Sequence, residues 1–322
     1  MAGLVCREFD EFADALRGVD GRYLLTARAT HAWKLQVVDL GDTSLMWGQD
    51  GAANVFHAAC LPNVYSLFLP LVPGDGVMVN GSLINEQCAA WLAPGAEFHM
   101  RARSAQQWLA VTTEAGDVLA LAEGQGSALP THTHVGRASP YAIARLIGLS
   151  FRILAADRDA GGIVETDKEA LRARLVAASV EVARSLDDGS HGPRGRPALP
   201  RGAIIGRALR VIDAQLDQII RLSDLCEATG VSVRTLNSVF HDHLEVSPHQ
   251  YIMMRRLHCV HAAIRSASPD DTVSDICSRF GIWDFGRFAR TYRSRFGVAP
   301  SRMLARIQRG GDVTRRVRHG AG

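Results

Sequence analysis

The sequence predicts an α+β protein in two parts, a β-rich N-terminal half followed by helices and an all-helical C-terminal domain. Three observations carry this. Short apolar or alternating runs separated by turn tetrapeptides fill the chain to about residue 125. A helix, a glycine turn and a second helix occur twice between Leu222 and Leu304. Before that repeat, Asp187 to Gly202 reads DDGSHGPRGRPALPRG, rich in Gly, Pro and charge and without apolar period, as a linker does.

In the N-terminal half, KLQVVDL, NVYSLFLPLV, VMVNGSLI, CAAWLA and WLAVTT are the strand-like runs, and GDTS, PGDG and PGAE are the turns. AVTTEAGDVLALA extends the same strand pattern. Several short strands without intervening helices predict a β-barrel or sandwich. After Pro140 the period changes. YAIARLIGLSFRIL and KEALRARLVAASVEVARSL predict two amphipathic helices, the second with a stripe of Leu171, Leu175, Ala178 and Val182. Such a stripe packs against the sheet or seals against a second copy, and a helix can do both with different faces. The aromatics Trp33, Trp47, Tyr65, Phe68, Trp91, Phe98 and Trp108 belong to the core or line a ligand cavity.

The C-terminal repeat aligns closely. LSDLCEATGVSVRTLNSVFHDHLEVSPHQYI begins at Leu222, and VSDICSRFGIWDFGRFARTYRSRFGVAPSRML begins at Val273. Cys226 matches Cys277, Gly230 matches Gly281, Leu236 matches Phe288, Phe240 matches Tyr292 and Pro248 matches Pro300, with one extra residue after the second glycine. In the first copy Ser232 caps a helix that buries Leu236, Val239 and Phe240, leaving Arg234, Thr235, Asn237, Ser238 and His241 outward. In the second, Thr272 and Asp275 start one helix, Asp284 caps the next, and Gly297 stops it. Helical spacing puts Phe285, Phe288, Ala289, Tyr292 and Phe296 on the buried face, opposite Arg287, Arg290, Thr291 and Ser294. Outward side chains of these types hydrogen-bond base edges and phosphates.

The paired units, the helix joining them (Ser247 to about Arg265) and the closing run GIWDFGRFARTYRSRFGVAPSRML resemble the DNA-binding domain of AraC/XylS-type transcription regulators over roughly Ile204 to Arg306. The resemblance implies base-reading side chains at Arg234, Asn237 and Ser238 in the first unit, and at Phe285, Gly286, Arg287 and Arg290 in the second. The chain departs from the family pattern at Gly286, at Ala299 before Pro300, and at Trp283. A Trp after the Gly-apolar turn resembles regulators of the ethanolamine-utilisation type. VNGSLINEQCAAWLAPGAEF resembles the cupin-like sensor domain that precedes this DNA-binding domain in many members. The family further implies double-stranded DNA and RNA polymerase as partners, a small-molecule effector, and a homodimer.

These readings set the expected organisation: a sensing and dimerisation domain over 1–186, a linker over 187–202, the double helix-turn-helix domain over 203–307 and a disordered tail over 308–322. From Ala203 onward there are 18 Arg, no Lys and 11 acids, a balance of +7, against −4 for the rest. That asymmetry is the footprint of phosphate binding, and GC-rich coding is an alternative reason for Arg over Lys.

Enzyme chemistry is not expected. No Ser/His/Asp order, glycine-rich phosphate loop or paired carboxylates stand out. His132 and His134 in THTH have metal-ligand spacing, but VGRASPYAIAR after them supplies neither the Glu nor the third His of a cupin metal site. His57 and His99 flank apolar strands as core or pocket residues. Six scattered cysteines without CxxC spacing read as reduced thiols. No metal and no cofactor are therefore expected. Without a signal peptide or long apolar run, a cytoplasmic protein with no membrane partner is expected. The alternative class is a cupin-type metalloenzyme with an appended DNA-binding domain, separable by metal content. An effector-independent architectural DNA binder is the third.

Overall fold

The computed structural model describes residues 4–6, 8–71, 76–124, 132–160, 162–187 and 201–319. The chain divides into two compact units, Met1–Tyr23 with Thr30–Ala198 and Leu24–Ala29 with Leu199–Gly322. The expected linker lies, apart from its ends, outside the described residues.

The N-terminal part runs β1 (Leu4–Cys6), α1 (Phe9–Asp14), β2 (Val19–Leu25), β3 (Trp33–Asp39), β4 (Thr43–Gln49), β5 (Asn54–Cys60), β6 (Val64–Pro70), β7 (Val77–Val79), β8 (Ser82–Ile84), β9 (Cys88–Leu92), β10 (Glu97–Ala102) and β11 (Gln107–Glu114). Helix α2 (Ala115–Gly124), β12 (His134–Arg137), α3 (Pro140–Ala160) and α4 (Glu165–Arg184) follow. The strands form two sheets, β1-β3-β4-β11-β6-β9-β12 and β2-β5-β10-β7-β8.

Sequence chemistry accounts for the main features. Asn80 and Gly81, both at positive φ, make a two-residue turn between β7 and β8, so VMVNGSLI is a hairpin. Strand β11 lies at the centre of the larger sheet, with Val111 opposite Leu45 on one side and Leu67 on the other. One face of that sheet buries Leu45, Leu67, Trp91 and Leu109 against Leu146, Leu149, Leu175 and Val182 of α3 and α4. The stripe expected on α4 thus packs into the core, with Leu171 at its edge.

One reading is corrected. AVTTEAGDVLALA does not continue as strand, because β11 ends at Glu114 and Ala115–Gly124 is helical. The Ala/Leu-rich half favours helix, and its Val118 and Leu121, three apart, pack into the same core.

The C-terminal unit is helical: α5 (Arg201–Ala214), α6 (Leu222–Thr229), α7 (Val233–Leu244), α8 (Pro248–Arg265), α9 (Val273–Arg279), α10 (Phe285–Phe296) and α11 (Pro300–His319). Helix α11 continues past Gln308, where the sequence places the start of a disordered tail. Helix α8 is the axis of the unit and is buried almost all round, including Tyr251, Ile252, Leu257, Val260 and Ile264. Ser247 and Gln250 cap it reciprocally, at 3.2 Å and 2.8 Å, and Pro248 sits in its first turn.

Candidate nucleic-acid interface

Each unit is built from a short helix, a left-handed glycine and a capped second helix. Gly230, at φ +69°, donates its N–H to the Cys226 carbonyl at 2.8 Å and turns the chain into α7. Ser232 Oγ then accepts from Thr235 N at 3.2 Å, closing the helix start. In the second unit Gly281, at φ +65°, takes the same role, and Asp284 Oδ1 accepts from Arg287 N at 2.9 Å. The start of α9 is capped by Thr272 Oγ1, which accepts from Asp275 N at 3.2 Å and donates to the Asp275 carboxylate at 2.6 Å.

The inward faces are dry. Leu236, Val239, Phe240 and Leu244 of α7 are buried, as are Phe288 and Tyr292 of α10. Tyr292 Oη lies 2.8 Å from His261 Nδ1 of α8, and the His261 ring stacks on Phe296 with centroids 4.1 Å apart. Burial drives the His261 imidazole down to about 4, with Arg265 adding to the shift. His243 of α7 is likewise pushed down to about 4 by burial and then by Arg201.

The outward residues differ between the two helices. On α7, Arg234, Thr235 and His241 are exposed, whereas Asn237 and Ser238 are half-buried. Asn237 Nδ2 donates to the Val233 carbonyl at 2.8 Å and Ser238 Oγ to Asp242 at 3.2 Å. Both bonds are local, within one turn of α7. On α10, Gly286, Arg287, Arg290, Thr291 and Ser294 are all exposed. Arg290 Nε reaches the Gly286 carbonyl at 3.4 Å, and Thr291 Oγ1 bonds back to the Arg287 carbonyl at 3.0 Å.

Phe285 departs from its place on the buried stripe. It is 38 % exposed, because the first residue of α10 projects beyond the core that covers Phe288 and Tyr292 one turn later. Exposure keeps it among the outward candidates. Trp283, the residue inserted relative to the first unit, is 71 % exposed. Two further side chains escape the reading of the sequence: Arg255 and Arg256 of α8 are buried. Their signal was a pair of arginines in the middle of a helix apolar on most of its surface.

Among the described residues, no comparable site forms around the histidines of the N-terminal unit. The rings of His132 and His134 stand 6.3 Å apart, and His134 Nε2 is 2.9 Å from the Asp187 carbonyl oxygen. Among the described residues no group of three His, Cys, Asp or Glu is placed to hold a metal ion. His99 is buried and His57 Nδ1 lies 3.1 Å from Arg22 Nη2. Phe68, Phe98 and Trp108, with Tyr23 and Phe56, line a cavity of about 40 Å³ between the sheets. Trp108 Nε1 donates to the buried Asp50 at 3.0 Å, and burial raises that carboxyl to about 6. Tyr65 and Trp91 stack on each other in the other core layer. Among the described residues, no helix is long and apolar enough to cross a membrane.

Residues 225–306 match the model of a helix-turn-helix domain family. Over 101 residues the chain is 35 % identical to the XylDLEGF operon transcriptional activator 3 of Pseudomonas putida, covering 31 % of this chain and 30 % of that one. It is 31 % identical over 113 residues to a probable thc operon regulatory protein of Rhodococcus erythropolis, covering 35 % and 33 %. A solved probable AraC family transcriptional regulator from Rhodopseudomonas palustris aligns at 28 % identity with a TM-score of 0.32, covering 33 % of this chain and 97 % of that one. The match thus spans about a third of the length of these two curated relatives. The C-terminal unit, with its paired glycine turns and capped second helices, carries a helix-turn-helix domain over residues 225–306.

Proposed function

We propose that the chain is a sequence-specific DNA-binding transcription regulator that activates a catabolic or metabolic operon in response to a small-molecule effector. One observation carries the reading: two capped helices, α7 and α10, each turn a hydrogen-bonding or cationic face outward while the opposite face builds the core. Side chains on such a face reach bases and phosphates when the helix enters the major groove. Arg234, Thr235, Asn237, Ser238 and His241 then contact one groove segment. Phe285, Gly286, Arg287, Arg290, Thr291 and Ser294 contact a second, about one helical turn (~34 Å) away. One matched relative is named an operon transcriptional activator and another a probable operon regulatory protein, which supports reading the domain as that of an AraC/XylS-type activator; contact with RNA polymerase is the route of activation we infer.

The N-terminal domain (1–186), with a cupin-like arrangement of sheets, senses the effector and forms a homodimer, and 187–202 tethers it to the DNA-binding domain (203–307). Helix α3 supports the dimer: Tyr141 and Phe151 are 73 % and 45 % exposed, with the open surface of Gly148 between them on the same face. The cavity beside Asp50 holds little more than a water as it stands, so an effector there has to part the sheets. The protein works in the cytoplasm without cofactor or catalysis, and Trp283 favours the ethanolamine-utilisation type within the family. Sequencing the DNA bound by the protein across its host genome tests the reading. A shared motif upstream of one or a few operons is expected, and bound DNA without any common motif contradicts it.

A further inference from the structure

The two helix-turn-helix units are joined by α8, and two arginines in the middle of that helix are buried, each only 9 % exposed. Arg255 Nε donates to Asp213 Oδ1 of α5 at 2.9 Å, which ties α8 to the helix that precedes the first unit. Arg256 does something different. Its Nη2 donates to the carbonyl of Gln218, in the turn that leaves α5. The same guanidinium lies 3.6 Å from the point where a side chain on Gly281 would begin. Gly281 is the turn between α9 and α10, so one planar group bonds the entry to the first unit and lies beside the turn of the second. The left-handed backbone of Gly281, at φ +65°, calls for glycine, and the carbonyl end of α9 beside it favours a cation.

Filling this space does not require a charge. Burying a guanidinium costs solvation that an apolar side chain of similar volume avoids. A polar group in such a place is best accounted for by direction: a hydrogen bond fixes an orientation that an apolar contact leaves loose. We propose that Arg256, seconded by Arg255, is a positioning residue that fixes the distance and angle between α7 and α10, and thereby the base-pair spacing the protein accepts between its two contact segments. This rests on the DNA-binding reading above. Each inserted base pair moves the second segment by about 3.4 Å and about a tenth of a turn, which a rigid pair of helices cannot follow.

The test uses the full chain and a duplex recovered by selection from a random pool, together with the same duplex carrying one or two base pairs inserted between the contact segments. For the parent protein each insertion is expected to cost about tenfold or more in affinity, and for Arg256→Met less than about threefold. The Met variant should also bind the uninterrupted duplex more weakly, with base preferences inside each segment unchanged. Arg256→Lys, which retains a donor for the Gln218 carbonyl, should recover part of the insertion penalty. A folded Met variant with the parent's penalty overturns the proposal. So does a Met variant that no longer folds, because the arginine is then a determinant of the fold and not of spacing. A parent protein that binds specifically yet tolerates insertions overturns it as well, whereas a parent that selects no duplex at all sinks the DNA-binding reading itself.

Discussion

Helices α7 and α10 bury matched positions, Leu236 and Phe240 in one and Phe288 and Tyr292 in the other, yet they expose different chemistry. The outward face of α7 carries a single arginine, Arg234, among Thr235, Asn237, Ser238 and His241. That of α10 carries Arg287 and Arg290, with Arg293 also exposed beside them, and has Gly286 where α7 has Arg234. Neutral donors and acceptors act on base edges, whereas clustered guanidinium groups add a strong hold on phosphates that is independent of sequence. Under the proposed DNA-binding function the difference predicts a division of labour, with most of the base discrimination from the first unit and most of the electrostatic hold from the second. Arginine also reads guanine, so the division has to be measured on each helix separately.

The largest effects should be common to both units, because the cores are built alike. Phe240→Ala and Phe288→Ala each remove a buried aromatic and should lower folding stability by about 3–5 kcal/mol in thermal or denaturant melts. A loss confined to one of them would break the equivalence of the two cores. Acid should also act on both. His243 and His261 titrate near 4 in the folded chain, below the usual histidine value of 6.5, so the unfolded chain binds more protons between those values. Stability is therefore fully present above pH ~6.5 and falls as pH drops toward ~4, by on the order of 1–3 kcal/mol for each histidine. Denaturant midpoints across pH 4–7 check this, and His261→Gln should flatten part of the slope.

The units should separate on DNA. Arg234→Ala and Asn237→Ala should each cost about 1–3 kcal/mol on the preferred duplex and relax preference at particular bases. Arg287→Ala should instead weaken binding evenly across sequences and reduce the salt slope by about one, with Arg290→Ala similar. Equal loss of base preference from both helices would erase the division. Unchanged affinity in all four variants would reduce these faces to solvated surface. The smallest effects belong to the caps: Ser232→Ala and Asp284→Ala should each cost about 1 kcal/mol of stability.

The C-terminal domain was legible because its signals are local and repeated. Gly230 and Gly281, the caps Ser232, Thr272 and Asp284, and the apolar stripes each specify their element without distant contacts. The N-terminal sheets were less so. Strands β2, β5 and β10 interrupt their apolar alternation with Arg22, His57 and Arg101, and their pairing joins residues far apart in the chain. The run after β11 reads as strand because its helical second half is as apolar as the strand before it. Phe285 shows the limit of periodicity inside the site: helical spacing gives its face but not whether the core extends far enough to cover it. Arg256 shows another limit, since its neighbours Gln218 and Gly281 lie 38 residues before and 25 residues after it.

The most direct measurement is the affinity of the full chain for every single-base variant of a selected duplex. The expected result is two clusters of sensitive positions centred about one helical turn apart (~10 base pairs), with the sharper preferences in the cluster that Arg234→Ala and Asn237→Ala relax. A single cluster, a flat profile, or sharper preferences in the cluster governed by Arg287 and Arg290 would contradict it.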